Sequence, residues 1–179
     1  MLDQAERDRT SDPLRSGDGI EVIPYVHMGE GHWTLPEETL LALYAELQRE
    51  HTAANVSGRT IHTPEEFLRF LRSPEVFPVV LTMHGDVAGV AWLTHIGKYH
   101  AWLHFAFLKW AHGPLAERLA QAGFRYWDAM ERDGEPLLKV LLGATPVAFK
   151  PAVAFVKRVG FTVLGEVPYV EDGNPVMFS

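Results

Sequence analysis

The sequence predicts an α/β fold, a mixed and mainly antiparallel sheet of seven strands with helices on both faces. Three features carry the prediction. The runs Phe77–His84, Val87–His95 and Tyr99–Leu108 are rich in β-branched and aromatic residues and are joined by the short turns Gly85-Asp86 and Gly97-Lys98, so they run antiparallel in chain order. Amphipathic helical patterns flank them on both sides. Another apolar run, Leu137–Leu142, follows the longest of these helices.

Composition bounds the class. A chain of 179 residues that is 47% hydrophobic has enough apolar side chain for one substantial core. The formal charge of −7 argues against a general nucleic-acid binder. With no cysteine there is no disulfide framework, thiolate metal site or cysteine nucleophile. No apolar run approaches the roughly 20 residues needed to span a bilayer, and the N-terminus is charged where a signal peptide is apolar. No membrane association and a cytoplasmic location are the expectation.

Taken in order, residues 1–19 show no apolar period and read as a loose tail, leaving 20–179 as the single domain. Ile20–Val26 is a short strand, placed at an edge by Pro24. Thr34-Leu35-Pro36-Glu37 has the spacing of a capping box and opens a helix through Leu40, Leu41, Tyr44 and Leu47, ending near His51. A polar loop through Asn55, Ser57 and Gly58 leads to a cleaner box, Thr63-Pro64-Glu65-Glu66, and a short helix stopped by Ser73-Pro74. After the three strands, Leu115, Leu119, Ala122, Tyr126 and Met130 mark one face of a helix of about five turns that starts at Pro114 and closes at Asp133-Gly134. Following the strand at Leu137–Leu142, a last helix covers roughly Ala148–Val159, with Gly160 as its stop. Phe161–Val170 and Asn174–Phe178 are terminal strands around the turn Glu171-Asp172-Gly173.

The functional interest lies between Ala101 and Asp133, where a strand, a short break at Lys109–Gly113 and a helix start gather backbone N–H groups. Such a helix start has unpartnered amides and a positive dipole end, a seat for an anion such as a pyrophosphate.

At residue level, Ala152-Val153-Ala154-Phe155-Val156-Lys157-Arg158-Val159-Gly160-Phe161 resembles the final helix of the GNAT (Gcn5-related) N-acetyltransferases, and Met83–Trp92 resembles their second and third strands. The element order is similar too, and the general look is closest to GNAT-like proteins of phage and prophage regions. The resemblance implies an acyl-CoA N-acyltransferase fold and transfer of acetyl from acetyl-CoA to an amine. It places the pantetheine arm on the backbone of Phe107, Leu108 and Lys109, and the pyrophosphate on the turn Trp110-Ala111-His112-Gly113-Pro114-Leu115 with Ala116 beyond it. Trp110 stands where the family has a basic or amide residue, Leu115 where it has a small one, and Val156 where many members carry a proton-donating Tyr. Pro114 lacks an N–H and Glu117 brings a carboxylate to the first turn. Lys109, His112 and Lys150 are candidates for compensating charge.

His104, in the middle of the cleft strand, is the candidate for proton transfer, because an imidazole titrates near neutrality. His100 and His104 share a face but lie ~13 Å apart along the strand, too far for one metal, and no metal site is expected. The amine acceptor is expected between the first two helices and the terminal hairpin, near His51–His62 and Pro168–Asn174, and is not identifiable. An exposed terminal edge invites a homodimer. The alternative to an enzyme is a non-catalytic GNAT-like binding module, phage- or prophage-associated, that acts through a protein partner.

Overall fold

The computed structural model describes residues 13–52, 61–132, 134–171 and 174–178. Its centre is a six-stranded sheet of β1 (Leu14–Arg15), β2 (Ile20–Pro24), β5 (Phe77–Met83), β6 (Asp86–Thr94), β7 (His100–Phe107) and β10 (Val140–Leu142), in that spatial order. All neighbours are antiparallel except β7 and β10, which run parallel. A second sheet joins β11 (Ala144–Pro146), β13 (Asn174–Phe178) and β12 (Gly165–Glu171).

The mixed, mainly antiparallel sheet is therefore as expected, but the single sheet of seven strands is not: the main sheet has six. The reason lies at Gly143. The expected strand Leu137–Leu142 is regular only over β10, and after Gly143 the chain continues as β11 and takes β13 as its partner instead of β7. At the start of the chain, Leu14–Arg15 of the expected tail pairs with Val22 and Glu21, whereas residues 1–12 lie outside the described ones.

Among the described residues, two helices cover each face. On one side, α1 (Glu37–Arg49) and α2 (Pro64–Leu71) enclose Tyr25, Leu40, Tyr44, Leu47, Phe67 and Trp92. On the other, α3 (Pro114–Asp128) and α4 (Lys150–Arg158) enclose Val79, Leu81, Leu103, Leu119, Trp127 and Phe155. Each side chain of this size removed from water contributes ~1.5–3 kcal/mol.

The box at Thr63 forms: its hydroxyl accepts from the Glu66 N–H at 3.1 Å, and the Glu66 carboxylate accepts from the Thr63 N–H at 3.3 Å. The box expected at Thr34 does not. Thr34 instead accepts from the Val26 N–H at 3.1 Å and donates to the Pro24 carbonyl at 2.5 Å, so α1 starts at Glu37 with no side-chain cap. Between β2 and α1 the chain makes a small hairpin of β3 (His27–Gly29) and β4 (His32–Trp33). Arg72 holds it in place, lying over the Trp33 ring at 4.6 Å and donating to the Tyr25 hydroxyl at 3.0 Å.

The long helix stops at Ala129, short of the expected end, because β8 (Glu131–Arg132) pairs with β9 (Glu135–Pro136) as a two-stranded ribbon. The polar loop at 53–60 and the hairpin residues Asp172-Gly173 lie outside the described residues. No described helix is long and apolar enough to cross a membrane.

Candidate active site

The site is built on β7. Along it, Leu103, Phe105 and Phe107 face the layer of α3 and α4, while His104 and Ala106 face that of α1 and α2. The peptide groups alternate in the sheet plane. The His100 carbonyl accepts from the Gly97 N–H and the Leu108 N–H donates to the Ala88 carbonyl, so even-numbered groups point to β6. The Tyr99 carbonyl accepts from the Val140 N–H, so odd-numbered groups point to β10.

The β7–β10 register covers only His100 to Trp102. Beyond it β10 has ended, and the Leu103 carbonyl and the Phe105 and Phe107 backbone groups have no strand partner on that side among the described residues. Gly89 of β6 lets the strands approach closely here: a Cβ on it would lie 2.4 Å from the Ala106 carbonyl oxygen. The wall on that side is apolar. Phe155 of α4 sits with its ring centroid 4.9 Å from that of Phe105 and 5.9 Å from that of Phe107, and Val156 beside it is buried.

At the end of β7 the chain makes a 3-10 turn, Lys109–Ala111, then His112 and Gly113. Gly113 has φ 72° and ψ −139°, a conformation that only glycine adopts without strain, and a Cβ there would meet nothing within 4 Å. Pro114 then starts α3, so Leu115 and Ala116 carry the first-turn amides without intrahelical partners. The carboxylate that Glu117 brings to this turn is paired with Arg158 of α4 at 2.5 Å, which offsets its charge.

The sequence-predicted residues fall unevenly around this edge. Phe107 has its carbonyl on the open side, where it accepts from His112 Nε2–H at 3.1 Å. The Lys109 N–H donates to the Glu50 carboxylate at 2.8 Å. Leu108 offers nothing to a ligand, because its N–H is bonded to Ala88 and its carbonyl to the Ala111 N–H. Gly113, Leu115 and Ala116 form the turn as described. Lys150 is exposed at the first residue of α4 and makes no ion pair among the described residues.

His104 lies on the other face of β7. Its ring stacks on Trp92, 5.3 Å between centroids and 7° between planes, and its Nε2 is 2.9 Å from the Thr94 hydroxyl. His95 Nδ1 is 3.1 Å from the same hydroxyl, whose one proton serves only one of the rings. Burial, and secondarily the charge of His95, push the His104 imidazole down to about 4, so it is neutral at physiological pH and a weak base.

Glu50 and Thr94 were not indicated by the sequence, and no spacing rule would have found them: Glu50 meets Lys109 across 59 positions. The described residues include no cluster of His, Asp or Glu able to hold a metal. A recess of about 380 Å³ bounded by Phe124, Val140, Leu142, Val159 and Phe161 lies at β10, and neither Phe105, Phe107 nor the Gly113 turn lines it.

No protein-family model matches the sequence, and no curated protein matches it. Solved structures do match. The acetyltransferase from Salmonella typhimurium that modifies the N-terminal serine of 50S ribosomal subunit protein L7/L12 superposes with a TM-score of 0.71 at 12% identity, covering 93% of this chain and 96% of that one. Mycobacterium smegmatis RimJ, solved with a CoA-disulfide, gives 0.68 at 17% identity over 93% and 84% of the two chains. The microcin C7 self-immunity acetyltransferase MccE, solved with acetyl-CoA and AMP, gives 0.65 at 13% identity over 91% and 93%. The likeness at these identities is one of fold: the chain has the architecture of GNAT acetyltransferases.

Proposed function

We propose that this chain is an N-acetyltransferase that moves acetyl from acetyl-CoA to an amine, with the cofactor along the open edge of β7. The observation that carries the reading is the loss of the β10 partner after Trp102, which leaves the far half of β7 with no strand on that side, ahead of the Gly113 turn. An extended chain of amides pairs with such an edge as a strand would. The turn and the Leu115 and Ala116 amides then meet the diphosphate.

Bound acetyl-CoA supplies a thioester whose carbonyl carbon is open to an amine. The chain's own contribution is mainly placement, which supplies up to ~7–11 kcal/mol in well-oriented reactions. Val156 of α4, a buried aliphatic side chain, gives the departing thiolate no proton, so solvent supplies it. His104 enters uncharged and holds its place against Trp92 and Thr94, a wall for the acceptor and not a strong base. Deprotonation of the amine then falls to solvent, and the rate climbs with the fraction of free amine. Peptide α-amines are the first acceptors to assay, because an acetyltransferase of the same fold modifies an N-terminal serine.

Calorimetric titration with acetyl-CoA tests the reading. Native protein binds, Gly113→Ala retains binding, and Gly113→Glu, which carries the same backbone strain but adds bulk and charge, loses it. A folded native protein with no binding at millimolar acetyl-CoA refutes it. The aliphatic Val156 and the weakly basic His104 favour a second reading, a GNAT-shaped binding module of phage type that acts through a protein partner. Cofactor binding with no thiol release across an amine panel would select it.

A further inference from the structure

We propose that the exposed His95, acting through the Thr94 hydroxyl, is a positioning residue that sets which ring nitrogen of His104 carries the proton. Nδ1 of His104 then accepts a hydrogen bond when His95 is neutral and donates one when His95 is charged. Thr94 Oγ lies 2.9 Å from His104 Nε2 and 3.1 Å from His95 Nδ1, and it makes no other hydrogen bond among the described residues. A hydroxyl donates once, so its proton goes to one ring and the other ring donates to its oxygen.

Two arrangements satisfy both bonds. In the first, His104 Nε2–H donates to Thr94, and Thr94 donates to His95 Nδ1. Both rings are then in the Nε2–H form, the commoner one for a free imidazole, and His104 Nδ1 is bare. In the second, both bonds are reversed and each ring carries its proton on Nδ1. Neutral His95 takes the first arrangement. Charged His95 has a proton on Nδ1 and can only donate there, which imposes the second. His104 stays neutral throughout, because burial, and after it the charge of His95, hold its imidazole down at about 4. His95 occupies this place from the left-handed region, φ 48°, which is uncommon for a residue other than glycine.

Neutral groups enclose the two rings: Trp92 stacks on His104, Phe70 of α2 meets Trp92, and Trp102 meets His95 at 6.4 Å. The charged side chains of the neighbouring elements are engaged elsewhere. On α2, Glu66 accepts from the Thr63 N–H with Arg69 nearby, and beyond its end Arg72 holds Tyr25 and Glu37. In the turn after His95, Lys98 lies over the Tyr99 ring and the His100 ring lies against Gly97. His95 is thus the ionisable group among the described residues that bears on His104. One consequence rests on the acetyl-transfer reading above: a bare Nδ1 accepts an N–H of the incoming amine, and an Nδ1–H turns it away.

Nitrogen-15 NMR of the imidazoles tests the coupling, because bare and protonated ring nitrogens are well separated in shift and His104→Gln identifies the His104 signals. In native protein the two His104 nitrogens are expected to exchange shifts as lowered pH charges His95. Thr94→Val, which keeps the shape without the hydroxyl, is expected to abolish the exchange, and Thr94→Ser to restore it. His95→Asn, which suits the left-handed backbone and does not titrate, is expected to abolish it too. A native His104 that keeps one tautomer throughout, that charges together with His95, or that exchanges equally in Thr94→Val overturns the inference. Failure of the folded native protein to bind acetyl-CoA removes the acetyl-transfer reading and leaves the coupling standing.

Discussion

Lowering the pH from 7 to 5 should destabilise this protein through His104 in particular. Its imidazole has an ordinary pKa of 6.5 and is pushed down to about 4 in the folded chain by burial, with a smaller push from His95. Between these two values the unfolded chain binds a proton that the folded one does not, so stability falls as pH falls through the unfolded value and levels off only near the folded one. The difference between pH 7 and pH 5 is about 2 kcal/mol, a large part of the stability of a typical domain. Asp18 does not compete in this window: Arg118 and Ser16 hold its carboxyl well below its usual range, so its contribution is lost only in stronger acid. The assay is urea unfolding at several pH values for native protein and His104→Gln. Comparing the two proteins isolates the part of the change that belongs to His104. The native protein is expected to lose about 2 kcal/mol more than the variant on going from pH 7 to pH 5. Parallel losses would refute the argument that His104 is folded in its neutral form.

Three further outcomes follow from packing and capping. Thr63→Ala removes the hydroxyl that caps α2 and should cost ~1 kcal/mol, read as a melting-temperature drop of roughly 2–4 °C. Gly89→Ala forces a methyl against the Ala106 carbonyl and Phe107, and should cost ~1–3 kcal/mol in urea unfolding. Thr82 is buried with no hydrogen-bond partner for its hydroxyl among the described residues, so Thr82→Val should match or exceed native stability by up to ~1 kcal/mol.

What the sequence disclosed were features written in neighbouring residues. The box from Thr63 to Glu66, Pro114 at the first position of α3 and Gly160 after α4 each act over a few positions, and each lies where expected; the hairpin turn was legible too, but it falls on His84-Gly85, one residue before the expected Gly85-Asp86, because Asp86 already pairs with Met83. Thr34 shows the limit of that logic. Its spacing to Glu37 matched a capping box, but the β2 backbone at Pro24 and Val26 took its hydroxyl, a tertiary partner with no local signature. The strand expected over Leu137–Leu142 fails for a related reason. An apolar run records burial, not which neighbour supplies the hydrogen bonds, and the change of partner at Gly143 leaves no trace in it. In the candidate site, the Gly113 turn was legible because its backbone requires glycine. The orientation of His104 onto Trp92 and Thr94, and the reach of Glu50 to Lys109, depend on contacts between distant segments that no periodicity encodes.

The exchange of partners at Gly143 bears on how such a protein tolerates change. One stretch of chain is anchored to β7 by Val140–Leu142 and to β13 by Ala144–Pro146, so the two sheets are tied together by main-chain pairing on either side of Gly143. That pairing is made by backbone groups, so side chains elsewhere in the chain are free to vary without breaking it. An architecture shared at 12–17% identity is the outcome such an arrangement permits.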